Sequence, residues 1–252
     1  MNLNELDQYL ELVNSVLLKS AVKINKWREK FMLEVLLLYL IIPGRINFLQ
    51  LGRYGRFGEQ RYRQQFGRRF DWLSFNAGLA ASHIGNRVAI AFDPSYISKS
   101  GKCTPYMGRF WSGCAKMAKR GLEISGIGLI DMDLHTCFHL EAVQTPPTKT
   151  LEQVKYTLID WYLHVLRTRK ETLQRLTNYV VADAYFSKST FVDGALPDFI
   201  TFCIIFFRPA LQVSVETILC SVWVTQRKIL SSYHVCAKEK EPVRFDQCRS
   251  FR

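Results

Sequence analysis

Five consecutive apolar residues, Val88-Ala89-Ile90-Ala91-Phe92, constrain this chain more than any other feature. Such a run belongs to a strand buried on both faces, so the chain must build a sheet that protein covers on two sides. Two more runs supply strands: Ile124 to Ile130, broken by Gly126 and Gly128, and Phe138 to Val143, ended by Pro146-Pro147. A helix is expected next, with Thr150 as N-cap, Gln153 completing a capping box, and Leu151, Val154, Leu158, Trp161, Val165 and Leu166 as its apolar stripe. Tyr179 to Ala182 reads as a fourth strand and Ser187 to Leu196 as a short helix. The order β-β-β-α-β-α predicts a mixed α/β domain with a helical crossover into the fourth strand.

The residues before this domain read as helical. Leu3, Leu6, Leu10, Val13, Val16 and Leu17 recur at helical spacing, and a second helix, Asn25 to Leu40, stops before Pro43-Gly44. Arg45, Arg53, Arg56, Arg61, Arg63, Arg68 and Arg69 then alternate with Phe48, Tyr54, Phe57, Tyr62, Phe66, Phe70 and Trp72. Arginine without lysine suits bidentate phosphate contacts, and Glu59 to Phe70 is expected to form a helix burying Tyr62, Phe66 and Phe70. The functional reading is a DNA-contacting helical region over residues 1–80; the alternative is a solvated basic face on a small bundle. Net charge, +12 over 252 residues, favours a polyanionic partner. Gly52, Gly55 and Gly58 follow no expected strand and are not read as a phosphate loop.

All 14 glycines fall within residues 1–197, and four of the seven cysteines fall within 198–252. The last stretch therefore reads as foreign to the domain. Its apolar run Phe199 to Phe207 reads either as an edge strand or as an aggregation hazard. The cysteine number is odd and no C-x-x-C occurs, so neither a disulfide framework nor a zinc site is expected, and free thiols fit a reducing cytoplasm. No leader or membrane span is expected; the longest apolar run, Val35 to Ile42, is too short to cross a bilayer.

The first strand runs into Asp93 and the fourth into Asp183. A carboxylate at the end of a buried strand is partly desolvated and needs a compensating cation. If the two strands are parallel neighbours, the carboxylates sit side by side and repel unless a metal neutralises them. Mg²⁺ or Mn²⁺ held this way acts at phosphodiesters in nucleases and strand-transfer enzymes. The alternative is that each aspartate caps the turn that follows it.

Around these aspartates lie longer motifs. Asp93-Pro-Ser-Tyr-Ile-Ser-Lys-Ser-Gly-Lys102 and Phe110-Trp-Ser-Gly-Cys114 resemble the first catalytic block of DDE transposases of bacterial insertion sequences, and Lys119-Arg-Gly-Leu-Glu123 follows as in those proteins. Val180-Val-Ala-Asp-Ala-Tyr-Phe-Ser-Lys188 resembles their second block, and Arg45 to Leu51 and Phe70 to Asn76 resemble their N-terminal region. The resemblance covers residues 1–197. It implies a ribonuclease H-like catalytic domain over 87–197, two divalent metals, and DNA transposition at insertion-sequence ends and a target. It makes Asp93 the first acid and Asp183 the second. It also implies a nucleoid-associated cytoplasmic protein and raises a homodimer on DNA as an assembly. The third acid of the family, a later Glu, has no recognisable counterpart. Glu216, 33 residues after Asp183, lacks a supporting motif, and Glu239 and Glu241 sit in a charged segment. A frameshift near codon 197 accounts for both the missing Glu and the foreign composition. Translating the other frames beyond that codon tests this: with no Glu-bearing, glycine-bearing continuation in either, the idea fails. Impaired cleavage follows. A non-catalytic protein that occupies transposon ends is the alternative function.

Other residues carry weaker signals. Lys99, Lys102, Arg109, Lys116, Lys119 and Arg120 read equally as a phosphate-contacting surface and as a solvated hairpin. His135, Cys137 and His139 alternate, but a metal site would lack a fourth ligand, so a structural or exposed role is expected. Trp111 and Trp161 read as core residues.

Overall fold

The computed structural model describes residues 3–19, 24–100 and 104–203. Helix α1 (Leu3–Lys19) and helix α2 (Lys26–Ile41) open the chain. Asn25 caps α2 by accepting a hydrogen bond from the Arg28 N–H at 2.8 Å. Gly44 then takes φ of 78°, a conformation glycine adopts without penalty, and turns the chain into α3 (Phe48–Tyr54). Helix α4 (Glu59–Phe66) stops at Gly67, short of the expected end at Phe70. Phe70 instead packs edge-on against Trp72 at the start of α5 (Trp72–Ala81), ring centroids 4.6 Å apart.

Helix α5 joins the two halves of the protein. Its Phe75 is buried with Val13, Val16 and Leu17 of α1, while Leu73, Ala77 and Ala80 are buried with the sheet. The strands are β1 (Val88–Ser98), β2 (Gly108–Ser112), β3 (Met117–Asp131), β4 (Thr136–Gln144), β5 (Tyr179–Ala182) and β6 (Ile200–Cys203). The sheet runs β2-β3-β1-β5-β6, with β4 also on β3. β3 is antiparallel to β1, β2 and β4; β5 is parallel to β1 and to β6. Only β3 therefore runs against the rest. Val88, Ile90, Phe92, Ile127 and Leu129 share a core with α5, with α7 (Leu158–Arg167), and with Phe186, Phe191 and Phe199.

The mixed α/β class expected from the sequence is present, and three details differ. First, β1 does not end at Asp93. β3 is longer and pairs with it from Val88↔Asp131 to Ser98↔Gly121, so the ladder carries Asp93 inside it. Pro94, which cannot donate to a ladder, falls beyond the last β5 partner, where β1 is free on one side. Second, the hairpin, one of two readings of the stretch from Lys99 to Arg120, is present as β2 with β3, and β3 starts at Met117, ahead of the expected Ile124. Third, the single helix expected from Thr150 is two, α6 (Thr148–Gln153) and α7, separated by Lys155 at φ of 57°. Thr157, not Thr150, carries the capping box: its N–H donates to Asp160 Oδ2 at 2.8 Å and its Oγ1 accepts from the Asp160 N–H at 3.2 Å. Thr157→Ala should cost about 1 kcal/mol in urea unfolding, and Thr150→Ala under about 0.5 kcal/mol. Equal losses would contradict this assignment.

Helix α8 (Lys170–Gln174) precedes β5, and a 3₁₀ turn (Ala184–Phe186) and α9 (Ser189–Ala195) follow it. The packed unit passes the expected join at 197. Asp198 pairs with Lys170 at 2.6 Å and Arg167 at 3.4 Å, Phe199 is buried, and β6 adds to the sheet. The rest of the proposed tail, with Glu216, Glu239 and Glu241, lies outside the described residues.

Candidate functional site

The parallel pairing of β1 with β5 ends at Phe92↔Ala182, and an aspartate follows each partner. Asp93, inside β1, and Asp183, just past β5, thus occupy equivalent positions on adjacent strands where their parallel pairing stops. Asp93 is half-buried, and its Oδ2 accepts a hydrogen bond from the Ser95 hydroxyl at 3.1 Å. Burial pushes its pKa up to about 6; the Ser95 bond opposes this, and the charges of Asp183 and Glu123 add to it. Asp183 is exposed, yet partial desolvation still raises its pKa, against the N–H of Tyr185, which donates to it at 3.0 Å. Neither carboxylate forms a salt bridge among the described residues. Both therefore stand without the compensating cation that adjacent carboxylates call for. The donor set is hard oxygen, the chemistry of Mg²⁺ or Mn²⁺. Asp183 also performs the alternative role, capping the 3₁₀ turn.

A third acid lies near the pair. Glu123 is 6% exposed, accepts a hydrogen bond from the Tyr162 hydroxyl at 2.7 Å, and has its pKa raised by burial. Glu123 ends the motif Lys119-Arg-Gly-Leu-Glu123, which by itself implies no role for it. The available signal was a charge set within the apolar stretch Leu122 to Ile130. Among the described residues, no group of three acids, histidines or cysteines has a metal-holding arrangement.

The expected cations fall into two groups. Arg45, Arg53, Arg56, Arg61, Arg68 and Arg69 are exposed around α3 and α4, whereas Arg63 is paired with Glu59 and stacked 4.9 Å over Phe48. Arg68 and Arg69 border a cavity of about 480 Å³ together with Arg28, Trp72 and Arg169. On the hairpin, Lys119 and Arg120 are exposed and Lys99 is half-buried; Lys102 lies outside the described residues. Trp111 is not a core residue: it is 63% exposed. Trp161 packs against the core, as expected. The alternating His135, Cys137 and His139 do not form one face. His135 sits in the turn before β4 at φ of 50°, and burial lowers the His139 pKa to about 4 and raises the Cys137 thiol to about 11.

Comparison with protein-family models and with curated proteins finds no match to this chain. Fold and site together define a mixed α/β protein with an uncompensated carboxylate pair where two parallel strands cease to pair and two arginine- and lysine-bearing surfaces. No helix among the described residues is long and apolar enough to cross a membrane.

Proposed function

We propose that this chain is a DDE-type transposase acting on insertion-sequence DNA, with a ribonuclease H-like catalytic domain and a helical DNA-binding region. The observation that carries the reading is the Asp93–Asp183 pair beside Phe92↔Ala182, raised in pKa and lacking a cationic partner among the described residues. Support for the ribonuclease H-like arrangement comes from β3, paired antiparallel with β1 on one side and β4 on the other, followed by a helical crossover to β5, parallel to β1. Asp93 and Asp183 would hold Mg²⁺ or Mn²⁺, with the Ser95 hydroxyl orienting Asp93. The bound metal would supply charge neutralisation and water activation at a phosphodiester. Two acids are fewer than the family motif requires, so strand cleavage and transfer would be impaired.

The second reading is a non-catalytic DNA-binding protein that occupies transposon ends. The Asp183 cap favours it, because capping alone would explain that carboxylate. One set of assays separates the two. The purified chain should bind an end-bearing duplex and nick it weakly with Mn²⁺, and Asp93→Asn should remove the nicking and keep the binding. Identical behaviour of parent and variant supports the second reading; robust nicking overturns the impairment. Arg53→Ala should weaken duplex binding evenly across sequences and reduce the salt slope by about 1.

A further inference from the structure

The β2–β3 hairpin holds an exposed aromatic among unpaired cations. Residues 95–122 contain six lysines and arginines and no acid. Cross-strand pairing sets Arg109 opposite Arg120 and Trp111 opposite Ala118. Like charges directly opposed destabilise a ladder, so this pair is uncompensated within the hairpin. The only hydrogen bond from the Arg109 guanidinium among the described residues is a long one, 3.4 Å, to the Ala118 carbonyl. Neither arginine takes part in a salt bridge among the described residues.

Register places these side chains on a particular face. Asp93 pairs with Gly126, and partners alternate along β3, so Gly126, Ile124, Leu122, Arg120 and Ala118 share one face. Trp111, Arg109 and Arg120 therefore project on the same side of the sheet as Asp93, whereas Lys119 and buried Phe110 project on the other. From Gly126 to Ala118 is about 26 Å at about 3.3 Å per residue. That is roughly eight nucleotides of a stacked strand at about 3.4 Å each.

We infer that Trp111, one same-face rung from the Arg109–Arg120 pair, is a stacking platform for an unpaired base of a DNA strand that also passes Asp93 and Asp183. Duplex binding needs only phosphate contacts. An exposed indole beside a rung that carries two guanidinium groups offers more to a strand whose base faces are free. A double helix keeps those faces stacked. The inference rests on the DNA reading above and adds a preference for single-stranded or frayed DNA at this hairpin.

Fluorescence anisotropy with the full chain, a labelled 20-nucleotide single strand and a labelled 20-base-pair duplex tests it. Trp111→Ala should weaken single-strand binding about tenfold and duplex binding less than twofold, and Trp111→Phe should keep most of the affinity. Because Trp111 is largely exposed, the thermal midpoint should not move. Equal losses on both DNAs, or Phe behaving as Ala, would overturn the stacking role. So would unchanged single-strand binding, including the case in which Trp111→Ala only dissociates a dimer in sedimentation. If the parent binds duplex but no single strand, this inference fails and the DNA reading survives. If it binds neither, both fail.

Discussion

At pH 7.5 Asp93→Asn should unfold at higher urea than the parent, by about 2 kcal/mol. The Asp93 carboxyl has its pKa raised from 3.8 to about 6, first by burial and then by Asp183 and Glu123. Between those two values the folded chain holds a proton that the unfolded chain releases. Stability is therefore fully present at low pH, falls as pH rises through that window, and stays low above it. Two pK units correspond to about 3 kcal/mol, from which the buried amide of Asn takes back a part. Glu123 and Asp183, also raised by burial, leave a residual slope of the same sign in the variant. A cation at the site should offset the same repulsion. Millimolar Mn²⁺ is thus expected to raise the urea midpoint of the parent and to leave Asp93→Asn nearly unmoved. A parent midpoint flat from pH 4 to 6 and indifferent to Mn²⁺ would remove the electrostatic basis of the site. This measurement needs no strand cleavage and reads the carboxylate pair directly.

What the sequence revealed follows from which interactions are local. The run Val88–Phe92 is apolar because both faces are covered, and periodicity reads that directly. The neighbouring placement of Asp93 and Asp183 was legible only as a conditional, since parallel pairing joins residues 90 apart. Trp111 was misread because burial of an aromatic on a hairpin depends on its face. One residue of register separates buried Phe110 from exposed Trp111. Glu123 went unassigned because its partner Tyr162 arrives from α7, 39 positions on. The broken helix was missed for a smaller reason: two capping signals, Thr150 with Gln153 and Thr157 with Asp160, compete within one apolar stripe, and only the second is used.

Arg28 shows the same limit with a larger consequence. By composition it is one more cation of a basic region, yet it is 8% exposed and serves as a tether. Its Nη1 donates to the Gln65 carbonyl at 2.8 Å and to Gln65 Oε1 at 2.7 Å, and its Nη2 donates to the Arg68 carbonyl at 3.2 Å. The guanidinium thereby fastens α2 to the end of α4 and to the chain leading into α5. Burial, and then the charge of Arg68, lowers its pKa, so its position costs something that the three bonds must offset. Removing it leaves Gln65 Oε1 and the Arg68 carbonyl without this donor, while the Gln65 carbonyl keeps the Arg68 N–H at 3.1 Å. Arg28→Ala should cost about 3 kcal/mol. Arg28→Met, which restores most of the volume, should cost nearly as much if hydrogen bonding is the cause. Lysine has no fork to serve all three acceptors, so Arg28→Lys should recover only part of the loss. Duplex affinity should fall with stability, because Arg68 and Arg69 sit on the chain that Arg28 holds. A Met variant as stable as the parent would assign Arg28 to packing alone. An Ala variant that kept its stability and lost only DNA binding would make Arg28 a phosphate contact instead.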